Sequence, residues 1–360
     1  MIPPAVAAAV RHLPAGSPVA VAMSGGVDSS VAAALLCEMG FAVTGFTMRL
    51  FDSPASARAI ADAEAVAAHV GIPHRVADLR DAFLDRVMRP FAESYAAGRT
   101  PSPCPVCNRR VKFGALAEAA QACGAAALAT GHYVRREEGP QGAELHRAGD
   151  LSRDQSYFLF DLSRDQIAFA AFPLGGLAGK AETRALARDR NLPVAERADS
   201  QDICFVSGKD YGPLVAALAP GAVRPGEIVD RDGRVLGRHA GVSGFTVGQR
   251  RGLGISAAEP LYVLAIDAAA ARVVVGPAEA LERGSCRLAG VNWLGGEPLD
   301  GARVLAKLRS ASRPVPVILA DLGKGLAEVR FETPFSAVAP GQACVFYRES
   351  RMLGGGWIAA

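Results

Sequence analysis

Apolar and polar positions in the first third of the chain alternate in a way that predicts strands followed by helices. Apolar runs at residues 18–23, 41–50 and 74–79 have the length and β-branched content of buried strands. Helix-like stretches cover residues 28–39 and 59–70, and a short helix is predicted near the N-terminus. Further helices are predicted within 82–98 and 112–123, and a strand within 125–134. Because this alternation is typical of a parallel sheet covered on both faces, we predict an α/β domain.

The pattern changes after Pro220. Short apolar runs, interrupted by glycine and charged residues, occupy residues 226–237, 261–276 and 313–331. They predict hairpins and small barrels, and Asp232-Gly233 is a typical turn pair. We therefore expect three domains: the α/β domain at 1–208, a small central domain at 209–279 and a C-terminal β-barrel at 280–360, the last two mainly β.

Composition indicates a soluble protein of a reducing compartment. Lys and Arg number 39 against 36 Asp and Glu, so the net charge of +3 neither demands nor excludes a polyanionic partner. We find no uncharged apolar run of the ~18 residues that a membrane-spanning helix needs. Seven cysteines spread over 360 residues do not form the dense pattern of a secreted disulfide framework. We predict a cytoplasmic location without membrane attachment.

A glycine-rich hexapeptide follows the first predicted strand. Ser24-Gly25-Gly26-Val27-Asp28-Ser29 stands where a helix begins, so backbone N–H groups can point at an anion. An ordinary P-loop would have a lysine after the second glycine, and this segment has none. The alternative is a simple glycine turn capped by Ser24 and Asp28.

Two cysteines lie in a proline-rich segment, residues 100–108, which we interpret as a rigid loop. Cys104 and Cys107 are followed by the cations Arg109, Arg110 and Lys112, which should favour the thiolate. The CxxC spacing is also compatible with half of a zinc site, although no second cysteine or histidine pair completes four ligands.

Cys204 is a third candidate. It lies in Ile-Cys-Phe-Val after a polar stretch at 199–202, and an apolar core position is the alternative. The remaining cysteines stand in apolar or strand-like contexts and are interpreted as structural: Cys37, Cys123, Cys286 and Cys344.

An ordered set of motifs resembles one known family. Ser-Gly-Gly-Val-Asp-Ser is similar to the signature of the PP-loop ATP pyrophosphatases. Together with GRTPSPCPVCNRRVKF, ATGHYVR, RDQSYFL, DSQDICFV, VGQRRGLG and APGQACVFY, it resembles the bacterial and organellar tRNA-specific 2-thiouridylases over almost the whole chain. The resemblance implies an adenine-nucleotide-binding PP-loop fold and 2-thiolation of the wobble uridine of tRNA. ATP with Mg²⁺ would activate the base, and the partners would be the tRNA anticodon loop and a sulfur-donor relay protein carrying a persulfide.

The same resemblance assigns roles to residues. Cys107 corresponds to the nucleophile and Cys204 to the persulfide carrier. ATP binding falls on Ala22, Met23, Ser24, Gly25, Gly26, Val27, Asp28, Ser29, Met48 and Gly131. Contact with tRNA falls on Ser102, Pro103, Cys104, His132, Arg153, Asp154, Gln155, Arg309, Ser310 and Gln342. Cys104 replaces the Asp of some members and Ser102 the common Asn, which leaves the role of Cys104 open.

Other interpretations compete with these assignments. His132 could cap a strand end, Met48 could be core packing and Arg309 could lie on a solvated strand. A PP-loop synthetase or amidotransferase acting on a small metabolite would leave the two cysteines without a role. If the chain were a non-catalytic, zinc-stabilised tRNA-binding protein, the glycine-rich loop would have no role.

Overall fold

A computed structural model describes residues 1–198, 203–206, 211–220, 223–336 and 338–359. The chain forms two compact units that interleave along the sequence. The first contains Met1–Arg86, Cys104–Gln201 and Ser350–Met352, and the second contains Val87–Pro103, Asp202–Glu349 and Leu353–Ala360. The predicted boundary at residue 208 lies outside the described residues.

The first unit is built on a parallel sheet. In chain order its strands and its hairpin are β1 Pro18–Ala22, β2 Ala42–Arg49, β3 His74–Asp78, β4 Ala127–Thr130, β5 Val134–Gly139, β6 Gly142–Arg147 and β7 Ala170–Ala171. The sheet order is β3-β2-β1-β4-β7, with parallel pairing throughout, while β5 and β6 form an antiparallel hairpin. The predicted α/β class is confirmed.

The α-helices of the described residues are α1 Pro4–Ala9, α2 Val27–Glu38, α3 Pro54–Val70, α4 Arg80–Phe83, α5 Arg89–Ala96, α6 Pro103–Cys107, α7 Ala117–Ala122, α8 Arg164–Phe169, α9 Lys180–Asp189 and α10 Gly212–Leu218. Two π-helical segments, Leu84–Met88 and Asn108–Leu116, connect α4 to α5 and α6 to α7. Short 3₁₀ turns occur at Ser156–Leu159, Val242–Gly244 and Ala278–Leu281.

Local chemistry explains where the first elements start and stop. β1 buries four of its five residues, as its apolar run predicts. Helix α2 buries nine of its twelve residues, with Val31, Leu35 and Leu36 fully inside, so it is covered on nearly all sides. Helix α3 begins at Ser53, whose hydroxyl accepts from the Ser56 N–H at 3.0 Å, and ends at Gly71 in a left-handed conformation.

The sheet order reverses at β1, which lies between β2 and β4. In open α/β sheets, ligands bind outside the carboxyl ends of the strands at such a reversal. The glycine-rich loop begins immediately after β1, so the chain places it at this position.

One predicted loop is a helix. The sequence predicts a rigid proline-rich loop at residues 100–108, but Pro103–Cys107 is helical and continues into the π-helical segment. Proline is tolerated in the first turn of a helix, because the N–H groups there have no carbonyl partner within the helix. Both Pro103 and Pro105 stand in that turn, so the prolines start a helix rather than exclude one.

The second unit is mainly β. Its strands are β8 Gly226–Val229, β9 Val235–His239, β10 Tyr262–Asp267, β11 Arg272–Gly276, β12 Arg283–Trp293, β13 Arg303–Lys307, β14 Val315–Gly323, β15 Leu326–Phe335, β16 Ala343–Arg348 and β17 Arg351–Ile358, the last beginning in the first unit. A four-stranded sheet has the order β10-β11-β8-β9. The six strands β12-β15-β14-β13-β16-β17 form a barrel closed by β12–β17 pairing, for example Leu288 with Ile358.

The structure confirms the three predicted hairpin regions. Residues 226–237 supply β8 and β9, 261–276 supply β10 and β11, and 313–331 supply β14 with most of β15. Gly233 has φ +84°, as a turn glycine requires. Among the described residues, no helix combines the length and hydropathy needed to cross a bilayer.

Candidate nucleotide and cysteine sites

The phosphate loop, residues 24–29, joins β1 to α2 and is held by its own hydroxyl groups. The Ser29 hydroxyl lies 3.1 Å from the Ser24 N–H, which donates to it, and 3.3 Å from the Ser24 hydroxyl. It also donates to the Gly26 carbonyl at 3.2 Å. The loop therefore has a defined shape before any ligand binds. The N–H groups of the first turn of α2 lack intrahelical partners by geometry, and the helix dipole favours an anion there.

Asp28 is the charged residue of this loop, and buried groups hold its carboxylate. The Lys180 ammonium donates to both carboxylate oxygens at 2.8 Å, and the Tyr133 hydroxyl donates to Oδ1 at 2.8 Å. Lys180 is 9% exposed and the Asp28 side chain 31%. Burial first, and then the Asp28 charge, raise the pKa of Tyr133, so its hydroxyl stays protonated. The result is a carboxylate whose orientation is fixed.

Two glycines allow backbone segments to approach the loop closely. A Cβ on Gly131 would lie 2.7 Å from the Ser29 nitrogen and 2.9 Å from the Asp28 Cβ. Gly25 has φ +67°, and a Cβ there would lie 2.4 Å from the Ala59 carbonyl oxygen. Gly131 follows β4, so the carboxyl ends of two neighbouring strands meet here. The half-buried Met48 is the second-to-last residue of β2 and lies at the same edge of the sheet.

Three residues outside the predicted set support the loop. They are Tyr133, Lys180 and Arg197, whose guanidinium donates to the Gly25 carbonyl at 2.9 Å and pairs with Asp62. Lys180 stands 152 residues from Asp28, so no local spacing could connect them. One signal was present: a lysine at the first position of α9 opposes the helix dipole, which indicates a tertiary carboxylate partner.

The cysteine helix, residues 103–116, carries Cys104 and Cys107 at its start. The half-buried Cys107 precedes Asn108, whose buried amide donates to the Phe158 carbonyl at 2.9 Å. Arg109 donates to the Asp161 carboxylate and carbonyl, each at 2.6 Å, so it anchors the helix.

The expected thiolate preference is wrong for Cys104. Although the residue is exposed, desolvation by the surrounding protein raises the pKa of its thiol, and the nearby Lys112 only partly opposes this. Desolvation outweighs a single cation here because the ionised form loses hydration. The Cys104 thiol is therefore less readily ionised than a free cysteine.

His132 lies beside this helix at the end of β4. Its Nδ1 is 2.8 Å from the Thr130 hydroxyl and its Nε2 is 3.4 Å from the Lys112 ammonium. Burial first, and the Lys112 charge second, hold the pKa of His132 well below its ordinary value. His132 is therefore neutral, which favours hydrogen bonding and stacking over binding a phosphate by charge.

The Cys204 turn, residues 203–206, exposes its cysteine. The Val206 N–H donates to the Ile203 carbonyl at 3.1 Å, and Cys204 lies inside this turn. Ile203, Phe205 and Val206 pack against a cluster formed by Phe91, Tyr95 and Val215, with Phe91 and Phe205 rings 5.2 Å apart. The apolar neighbours face the cluster while the thiol is accessible, so the core interpretation of Cys204 does not apply. The polar stretch at 199–202 lies outside the described residues.

The residues assigned to tRNA divide between the two units. In the first, Asp154 accepts from the Ala148 and Ser156 N–H groups at 3.2 Å, and Gln155 Oε1 accepts from the Tyr133 N–H at 3.0 Å. Both side chains are thus engaged within the protein, while Arg153 is half-buried.

In the second unit, Arg309 and Gln342 also have internal partners. Arg309 donates to the Val247 carbonyl at 3.0 Å and Gln342 to the Thr100 carbonyl at 2.8 Å. Ser310 is exposed, Ser102 is half-buried and Pro103 is buried. Gln342 therefore holds Thr100, which lies two residues before Ser102 at the start of the segment that leads to the cysteine helix.

The other cysteines divide into two groups. Cys286 and Cys344 are buried in the barrel core, as predicted, and burial raises the pKa of both thiols, that of Cys286 to about 12. Cys37 is half-buried, but Cys123 is exposed and accepts from the Arg75 guanidinium at 3.3 Å. Among the described residues, no group of three His, Cys, Asp or Glu side chains could hold a metal ion.

Family models match three successive parts of the chain. They are described as a tRNA methyl transferase HUP domain at residues 17–208, a tRNA methyl transferase PRC-barrel domain at 219–277 and an aminomethyltransferase beta-barrel domain at 283–358.

Curated relatives match nearly the whole length. A protein named tRNA-specific 2-thiouridylase MnmA from Paracoccus denitrificans (strain Pd 1222) is 52% identical over 359 residues, covering 96% of this chain and 92% of the relative. Proteins of the same name from Paramagnetospirillum magneticum and Rhodospirillum rubrum are each 51% identical to this chain. Each match covers 96% of this chain, and it covers 96% of the first relative and 97% of the second.

Proposed function

This chain belongs to the tRNA-specific 2-thiouridylase family, and on that premise we propose that it replaces the C2 oxygen of the wobble uridine of tRNA with sulfur, at the expense of ATP. Two of the matching domain descriptions mention methyl transfer. We follow the relatives' name instead, because those proteins match at about half identity along 96% of the chain.

The observation that carries the proposal is the Asp28 network at the carboxyl edge of the sheet. A preformed loop, a helix N-terminus and an oriented carboxylate meet where the sheet order reverses. Such an arrangement suits a nucleoside triphosphate, since the N–H groups can donate hydrogen bonds to its phosphates and the carboxylate can hold a cation. We infer that residues 22–29, with Met48 and Gly131, bind ATP. Asp28 would hold Mg²⁺, which neutralises phosphate charge when bound.

Activation of the base precedes sulfur transfer. The uracil C2 oxygen attacks the α-phosphorus of ATP, the bond to pyrophosphate breaks, and the oxygen becomes part of an adenylate. Activation is needed because that oxygen is otherwise a poor leaving group. In this step the chain orients the phosphates through the phosphate loop, and Lys180 and Tyr133 keep Asp28 in place.

Sulfur then arrives as a persulfide on Cys204. The terminal sulfur becomes bonded to C2, and AMP leaves with the original oxygen. In one route, Cys107 then attacks the Cys204 sulfur, forms a disulfide with it and frees the thiocarbonyl. In the other route, Cys107 forms the same disulfide first and thereby releases the terminal sulfur as hydrogensulfide, which attacks C2. Each route yields one thiocarbonyl, one AMP and one disulfide, which a thiol reductant must reopen before the next turnover.

Two partners follow from this chemistry. The persulfide requires a sulfur-donor relay protein, and the exposed thiol of the Cys204 turn suits transfer from another protein. The tRNA substrate would present the anticodon loop, where a base leaves its stack more easily than in a duplex. We propose a cytoplasmic enzyme with the domain limits 1–208, 209–279 and 280–360, the last two domains contacting tRNA.

Nucleoside mass analysis tests the proposal. Unmodified tRNA incubated with the protein, ATP, Mg²⁺ and a persulfide source should gain 2-thiouridine together with one AMP per base. Cys107→Ser and Cys204→Ser should each remove the product, whereas Cys286→Ala should retain it with a stability cost. Thiolation that survives loss of Cys204 would disprove the persulfide role, and thiolation without ATP would disprove the adenylation step.

A further inference from the structure

Lys112 is a cation of the first unit that the mechanism above does not use. It lies in the π-helical segment after Cys107 and is half-buried. Its ammonium donates to the Asn108 side-chain oxygen at 2.9 Å and lies 3.4 Å from His132 Nε2. An ammonium has three N–H groups, so both contacts can form at once.

The contact with Lys112 determines the tautomer of His132. An ammonium can only donate, so Nε2 must accept and the ring proton must be on Nδ1. The Nδ1–H then donates to the Thr130 hydroxyl at 2.8 Å. Phe113 and Phe172 pack near the ring, with centroids 6.3 and 6.2 Å from it and 5.9 Å from each other. Lys112 thus selects the tautomer and the direction of the His132 ring, while burial is the main reason that the ring stays neutral.

The two partners of Lys112 adjoin different parts of the proposed site. Asn108 follows Cys107 directly, and its amide group is oriented by the Phe158 carbonyl as well as by Lys112. His132 follows Gly131, where an added Cβ would lie within 3 Å of atoms of Ser29 and Asp28 in the phosphate loop. One ammonium therefore connects the cysteine helix to the strand end that supports the loop.

We propose that Lys112 is a positioning residue that keeps the cysteine helix and the phosphate loop in register for sulfur transfer. It acts through Asn108 and His132 and need not touch the substrates. The proposal rests on the proposed function, because register between Cys107 and the nucleotide matters only if both serve one reaction. Its physical basis is that a small misplacement of reacting groups can lower a rate roughly 100-fold.

Four variants test the role of Lys112. Lys112→Met removes the charge and both contacts, whereas Lys112→Arg keeps the charge. Lys112→Gln removes the charge but keeps a hydrogen-bond donor, and it replaces the Met variant if that variant does not fold. Lys324→Met is the matched control, since Lys324 is exposed on the β14–β15 hairpin. Circular dichroism establishes that each variant is folded.

The first measurement needs neither ATP nor tRNA. Titration of histidine ring signals by NMR, with His132 assigned from a His132→Gln variant, should show that Lys112→Met raises the pKa of His132, because a neighbouring positive charge is lost. Lys112→Arg and Lys324→Met should leave it low. A pKa that Lys112→Met leaves unchanged would show that the Lys112 contact with His132 is absent in solution.

The second measurement is steady-state thiolation. Lys112→Met should lower kcat roughly 100-fold while changing KM for ATP little, and Lys112→Arg should restore most of the rate. A kcat equal to that of Lys324→Met, or a His132 pKa that does not move in an active enzyme, would overturn the role of Lys112. If the wild-type protein made no thiolated tRNA, the proposed function itself would fail.

Discussion

The phosphate loop and the Cys204 turn are held by opposite kinds of interaction. Hydroxyl, carboxylate and ammonium groups fix the loop, and each of these contacts has a direction and a length close to 3 Å. Apolar and aromatic side chains hold the turn through Ile203 and Phe205, together with one backbone hydrogen bond from Val206 to Ile203. Packing of this kind is non-directional, whereas a buried polar network depends on every member.

This difference suits two different tasks. A loop that orients phosphates must keep its charges fixed before the ligand arrives, because reorganisation during the reaction is costly. A cysteine that receives sulfur from another protein must be accessible, so its neighbours can anchor the turn while the thiol stays outside. We therefore expect single substitutions in the loop to cause larger losses than substitutions beneath the turn.

The largest expected effect comes from Asp28→Asn. The amide keeps the shape but removes the charge that faces Lys180 and, in our proposal, Mg²⁺. Pyrophosphate release in the presence of tRNA should fall by on the order of 100- to 1,000-fold, as for the loss of a preorganised electrostatic group.

Lys180→Met is the matched control for this variant. If Lys180 acts only by holding Asp28, its loss should cost less than that of Asp28, and the double variant should be no slower than Asp28→Asn. Pyrophosphate release by Asp28→Asn at the wild-type rate would contradict the proposal that the phosphate loop binds ATP. The phosphate loop would then no longer be expected to be more sensitive to substitution than the Cys204 turn.

A smaller effect is expected from Gly131→Ala. The added methyl would lie within 3 Å of the Ser29 nitrogen and the Asp28 Cβ, and backbone atoms cannot move aside easily. We expect a destabilisation of about 1–3 kcal/mol from overpacking and a weaker Kd for ATP. Thermal unfolding and nucleotide titration measure the two effects.

Gly284→Ala provides the comparison for Gly131→Ala. A Cβ on Gly284 meets nothing within 4 Å, so stability and ATP affinity should both stay near the wild-type values. An unchanged Kd in Gly131→Ala, alongside a lower Tm, would show that the loop adapts to the methyl and is less rigid than its hydrogen bonds imply.

The sequence predicted what depends on local pattern. The strands β1, β2 and β3, the helix α2 and the β hairpins follow from apolar periodicity and turn residues, and they are confirmed. The position of the phosphate loop at a strand end was predicted for the same reason. Residues close together in sequence determine these elements, so the apolar pattern is sufficient to predict them.

The rest depends on contacts between distant segments. Nothing in the local sequence connects Asp28 to Lys180, or Asn108 and Lys112 to His132, because folding alone brings them together. Cys104 shows the same limit, since adjacent cations suggested a thiolate while desolvation in the folded protein has the larger effect. The prolines around Cys104 were also ambiguous, because they can begin a helix as well as stiffen a loop.

The smallest expected effect comes from Phe205→Ala. Loss of the ring that meets Phe91 at 5.2 Å should destabilise the protein by about 1–2 kcal/mol, since the side chain is only partly buried. The Cys204 turn should loosen without losing its accessible thiol. Thiolation should fall a few-fold, while pyrophosphate release stays at the wild-type rate.

Alkylation of Cys204 by iodoacetamide, followed by peptide mass analysis, separates loosening from unfolding. Cys286 is buried in the barrel and serves as an internal control. In Phe205→Ala, Cys204 should react at least as fast as in the wild type while Cys286 stays protected, and Phe205→Leu should recover most of the thiolation rate because it restores apolar packing. A parallel fall of thiolation and pyrophosphate release would mean that the turn influences base activation. In that case the phosphate loop and the Cys204 turn would depend on each other, although different interactions hold them.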